Sequence, residues 1–151
     1  MEIQEIIEQE IVSFNAKKVV EGAIKKSKSE FLMPFAMIIF DFLESINNDP
    51  KFLFSSGNKE YAPLFSDDKS FQSFGYIKEK GVKSIESNAY CEFAIRSISS
   101  NSRWITLGVD KDFKPYVAFS YDFRPKSEES IFSADEAIRI MTRFFLEKRK
   151  K

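Results

Sequence analysis

Three aspartates and two lysines are the residues of this chain best suited to chemistry. Asp110 and Asp112 flank Lys111, Lys114 follows, and Asp122 comes ten residues after Asp112. Carboxylates gathered at strand ends beside a lysine could hold Mg²⁺ and assist phosphodiester hydrolysis. The same residues suit a β-turn, because an aspartate side chain bonds to backbone amides two residues on. The turn is the simpler assignment, and a metal-dependent phosphodiesterase or nuclease using Asp110, Asp112 and Asp122 is the alternative. Asp67 and Asp68 follow Ser66 and suit the start of a helix in the same way.

Other chemistry is constrained by what the 151 residues lack. There is no histidine and a single cysteine, Cys91. That removes Ser–His and Cys–His nucleophile pairs, the commonest general base, and the tetrahedral N/S shell that zinc requires. No G-x-x-x-x-G-K-[ST] or G-x-G-x-x-G loop is present to cradle a phosphate. Cys91 sits in an alternating run with Phe93 and Ile95, so a buried, inert thiol is expected there. No catalytic residue, metal centre or cofactor is expected.

The elements that must position any site are partly readable from period. Ile3, Ile7, Ile11 and Phe14 recur at helical spacing, and Val20, Ala23 and Ile24 resume it after a slip near Asn15, where a break is possible. Pro34 to Asn47 is the most apolar segment. With proline in a first turn and Asn47-Asn48-Asp49-Pro50 as a stop, it predicts a second helix buried on nearly all sides. Residues 51–88 are less patterned: a short strand at Lys51–Phe54 and a short helix from Ser66 to Gly81 are the expectations.

From Ala89 the period changes to two. Cys91, Phe93 and Ile95, then Ile105, Leu107 and Val109, then Val117, Phe119 and Tyr121 alternate with other residues across short turns. That predicts a three-stranded antiparallel meander over about Ala89 to Phe123. Ser133-Ala-Asp-Glu136 is a capping box, and Ala137, Ile138, Met141, Phe144 and Phe145 follow at helical spacing. The expected fold is a single α+β domain over residues 1–151: N-terminal helices, one of them buried and apolar, a meander, and an amphipathic closing helix.

Alternation also sorts the strands into two faces. Tyr90, Arg96, Trp104, Thr106 and Tyr116 fall opposite the Cys91 set and project together. Tyr, Trp and Arg are the types that anchor protein interfaces, so Tyr90, Arg96, Trp104 and Tyr116 are the candidate partner-binding residues. A competing expectation is that an N-terminal helix covers this face and turns its aromatics into core.

Trp104 to Asp110, Phe119, and the helix Ala137–Leu146 follow a hairpin-then-helix layout similar to that of type III secretion chaperones. The first half lacks the strand pattern of those proteins, and their marked acidity is absent. The likeness implies a small partner-escorting domain.

Composition agrees with a folded binding protein. The chain is 43% hydrophobic and 30% charged, and 23 basic residues balance 23 acidic ones. The balance disfavours nucleic acid as a partner, since phosphate contacts need a basic surplus. The basic run Lys148–Lys151 suits a helix C-terminus. The acidic start Met1-Glu-Ile-Gln-Glu lacks a signal-peptide pattern, and Phe35–Leu43, interrupted by Asp41, is too short to span a bilayer. A cytoplasmic, non-catalytic domain is therefore expected. It would occlude or escort a protein partner, as an immunity or anti-defence inhibitor or an adaptor does, and homodimerisation is a further possibility.

Overall fold

A computed structural model describes residues 2–47, 61–64, 73–97, 102–121 and 129–148. The described elements run α1 (Ile3–Asn47), β1 (Tyr61–Leu64), α2 (Phe74–Asn88), β2 (Cys91–Ser97), β3 (Ser102–Val109), β4 (Pro115–Tyr121), β5 (Glu129–Ile131) and α3 (Ala134–Lys148). The fold is α+β. The expected meander forms the centre of one antiparallel sheet of order β1-β2-β3-β4-β5, with a short strand added at each edge.

The N-terminal part differs from expectation. Instead of two helices, one helix runs through 45 residues, with Pro34 in its interior. A proline there removes one backbone donor and frees the carbonyl four residues earlier. Pro34 and Glu30 both lie on the exposed side, where water can meet that carbonyl. Only the second half of α1 is packed: Leu32, Ala36, Ile39, Phe40, Leu43 and Ile46 are buried, whereas residues 2–27 are all exposed. At 1.5 Å per residue the exposed portion extends roughly 38 Å.

Helix α2 begins at Ser73, whose hydroxyl accepts from the Tyr76 amide at 3.1 Å, and runs past Gly81 to Asn88. The expected start at Ser66, Asp67 and Asp68 and the expected strand at Lys51–Phe54 lie outside the described residues. Gly81 is where α2 meets α1: a Cβ there would strike the Phe40 ring. Lys78 adds a polar clamp, with Nζ 2.6 Å from Asp41 and 3.6 Å from Glu44 of α1. The Asp41 hydrogen bond, foremost, raises its pKa above the ordinary lysine value. Helix α3 starts as its capping serine predicts, Ser133 Oγ accepting from the Glu136 amide at 3.4 Å. It buries Ala137, Met141 and Phe145.

The buried side chains of all three helices meet one set of strand residues: Cys91, Phe93, Ile95, Ile105, Leu107, Val117 and Phe119. This is the inward set given by alternation. Arg103 shares the inward side through its pairing with Ile95 and Tyr121. It is buried, with its guanidinium 5.3 Å from the centre of the Phe119 ring. Among the described residues no helix is long and apolar enough to cross a membrane.

Candidate functional site

The other side of the sheet is arranged in rows by the strand register. Cys91 pairs with Leu107 and Gly108 with Tyr116, so Tyr90, Gly108 and Tyr116 form the end row. The next row is Glu92, Thr106, Ala118 and Ser130; the third is Ala94, Trp104 and Ser120; Arg96 and Ser102 form the fourth. The sequence-predicted residues Tyr90, Arg96, Trp104 and Tyr116 thus share one face. None of them belongs to the core that the helices build on the opposite side. The Arg96 side chain lies outside the described residues.

Small residues make the floor of this face. Ala94, Thr106, Gly108 and Ser120 are buried, while Trp104 and Tyr116 are half-buried and Tyr90 is exposed. Tyr116 leans over Gly108, where a Cβ would come within 2.7 Å of the Tyr116 hydroxyl oxygen. Its ring meets Phe132 edge-on, with centres 6.1 Å apart. A polar relay crosses the floor: Tyr90 Oη donates to Glu92 Oε2 at 2.8 Å, and Thr106 Oγ1 donates to the same oxygen at 2.9 Å. Between the end row and the middle of α1 lies a cavity of about 300 Å³, lined by Tyr90, Tyr116, Lys25 and Lys28 among others. The face therefore combines partly exposed aromatic side chains with buried small ones, and the Glu92 carboxylate is held by Tyr90 and Thr106.

The acidic candidates are placed differently. Asp110 Oδ1 accepts from the amides of Asp112, at 2.9 Å, and Lys114, at 2.8 Å, and the Asp110 carbonyl accepts from the Phe113 amide at 3.1 Å. This is the hydrogen bonding that makes aspartate a turn residue, and it occupies one of the two Asp110 carboxylate oxygens. Asp122 lies outside the described residues. Among the described residues no three or more carboxylate or thiol groups stand close enough to hold a metal ion. Asp110→Ala is expected to cost about 1 kcal/mol, the net worth of a typical hydrogen bond with its exposed amides passing to water. Asp112→Ala should stay within about 0.5 kcal/mol of the parent. Urea titrations with and without Mg²⁺ check both; a Mg²⁺-dependent rise in the parent's midpoint, absent in both variants, would restore the metal reading.

Cys91 is fully buried, and burial foremost, with Glu92 adding to it, pushes its thiol pKa up to about 12. A group so placed is a packing residue.

Two features escaped sequence reasoning. Phe113 adopts a left-handed backbone, φ 61°, which a bulky residue rarely takes. Its ring meets Phe31 of α1 edge-on with centres 5.9 Å apart, and Lys28 Nζ lies 5.9 Å from its centre. With Val19, Val20, Ala23 and Ile24 these rings line an apolar groove of about 550 Å³ between α1 and the β3–β4 turn. The second is that the exposed half of α1 carries large apolar residues throughout, from Ile3, 77% exposed, to Val19, 72% exposed. Helical spacing marks them as sides of a helix without showing what covers those sides.

Compared with family models, curated proteins and solved structures, the chain matches none.

Proposed function

We propose that this chain is a non-catalytic protein-binding domain of the cytoplasm that occludes or escorts a protein partner. An immunity or anti-defence inhibitor acts in this way, and so does a secretion-chaperone-like adaptor. The observation that carries the reading is the segregation of the sheet. All three helices pack on the Cys91 face, and Tyr90, Trp104 and Tyr116 stand on the other among buried small residues. Aromatic side chains with polar tips are the usual anchors of protein interfaces.

Binding is expected to centre on Trp104 and Tyr116, with Tyr90 held in place by Glu92 and Arg96 at the far row. Trp104→Ala and Tyr116→Ala should each weaken partner binding by about 2 kcal/mol or more, the usual size of an aromatic hot spot. The test is affinity capture from the native cell with the tagged full chain, followed by titration of the captured partner against both variants. Equal capture by the parent and both variants would sink this face as the binding site.

A further inference from the structure

We propose that copies of this chain associate head to tail. The exposed start of α1 in one copy lies in the apolar groove between α1 and the β3–β4 turn of the next. This rests on the exposed half of α1, which meets the partner-binding face only around Glu21, Ile24 and Lys25.

The exposed half of α1 has two apolar stripes. Ile3, Ile7, Ile11 and Phe14 lie along one side of the first half. Val19, Val20, Ala23 and Ile24, continuing to Phe31, lie along a side turned by roughly 150° at 100° per residue. The second stripe is one wall of the 550 Å³ groove, and Phe113 is the other. The first stripe touches no described element, because residues 2–27 are all exposed. Its length suits the groove: Ile3 to Phe14 covers about 17 Å of helix axis, and Val19 to Phe31 covers about 18 Å.

Charge decides the pairing. The first stripe is carried on an acidic segment with Glu2, Glu5, Glu8 and Glu10 and no basic residue. The stretch of α1 that walls the groove, residues 17–31, carries five lysines (Lys17, Lys18, Lys25, Lys26 and Lys28) against Glu21 and Glu30, while in the turn around Phe113 the pair Asp110 and Asp112 balances Lys111 and Lys114. Stripe against stripe sets glutamates on glutamates, and groove against groove sets lysines on lysines. Stripe into groove sets the acidic segment against the lysine surplus of the α1 wall, which disfavours the two like-charged alternatives.

Symmetry follows from the angle between the stripes. A straight partner helix lies on one side of α1 only, so a two-fold pair of α1 helices buries one stripe of each copy and leaves the other in water. A head-to-tail contact buries the first stripe of every copy in the groove of its neighbour, and such contacts build rings or open chains. Phe113 fits this role: a left-handed position that glycine would fill without strain is instead held by a phenylalanine whose ring walls the groove.

Sedimentation velocity of the full chain over a dilution series provides the test. The mass is expected to rise with concentration beyond two chains of 17.5 kDa, and added salt should weaken the association. Ile7→Glu combined with Ile11→Glu, and separately Val20→Glu combined with Ala23→Glu, should each weaken it at least about tenfold. All four positions are exposed, so thermal unfolding of both variants should match the parent at a dilution where the chains are single. Mixed together, the variants retain one intact stripe and one intact groove and should stop at pairs. A parent chain that stays single, a mass fixed at two chains at every concentration, or a mixture that remains single would each overturn the proposal. Partner capture through Trp104 and Tyr116 is read separately, so either idea can fail alone.

Discussion

Replacing Phe40 by alanine is expected to cost the fold about 3–5 kcal/mol, the loss typical of a buried aromatic ring. Phe40 is 1% exposed, lies between α1 and α2, and packs on Phe93 of the sheet with ring centres 6.2 Å apart. Removing it empties a place where α1, α2 and β2 meet. The reciprocal change fills the same place. Gly81→Ala puts a methyl group into the Phe40 ring, and overpacking of this kind costs about 1–3 kcal/mol. Alanine is about 1 kcal/mol better than glycine within a helix, so the net loss should be smaller than for Phe40→Ala. Urea midpoints measure both. A stabilising Gly81→Ala would mean that α1 and α2 do not approach this closely.

Stability is expected to fall steeply in alkali because of Cys91. The ordinary thiol value is 9.0 and the folded value about 12. In that interval the unfolded chain has released a proton that the folded chain still holds. The stability owed to the neutral thiol is therefore complete below pH 9 and is lost as pH rises toward 12. The slope is about 1.4 kcal/mol per pH unit, for a total on the order of 4 kcal/mol. Tyrosines and lysines titrate over the same range, so the measurement is the difference in pH slope between the parent and Cys91→Ala. Equal slopes would show that the thiol ionises as easily folded as unfolded. A thiol reagent at neutral pH should likewise label Cys91 only at the rate of unfolding.

Most of the sheet and the last helix could be read from the chain because their signals are local. Period-two alternation from Cys91 to Tyr121 separates the two faces, and a serine followed three residues later by Glu136 marks the start of α3. Helix α1 was harder for a tertiary reason. Pro34 and the slip near Asn15 are both ordinary stop signals. Here they are overridden, because the proline faces water and the slip marks a change of stripe within one helix. Residues 61–64 include Pro63, which argues against a central strand yet is tolerated at an edge, where β1 lies. Arg103 shows the limit of residue type as a guide: the alternation of β3 places it inward, and a nearby aromatic ring receives it. Of the candidate site, Tyr90, Trp104 and Tyr116 follow from parity alone. The groove at Phe113 does not, since it depends on a turn conformation that carries no phenylalanine signature.

The strand order has a consequence for how the molecule is made. Each strand pairs with the one before it in the chain, so no strand has to be threaded between two that are already joined. The sheet can grow from one edge as the polypeptide is synthesised, hairpin upon hairpin, with α2 closing the wider first link. Such low contact order favours rapid acquisition of structure. The contacts of greatest separation, those of α1 with β3, β4 and α3, are the natural last step. Until they form, α2 and α3 alone cover the apolar side of the sheet, which is the interval in which a nascent chain of this design is most exposed to aggregation.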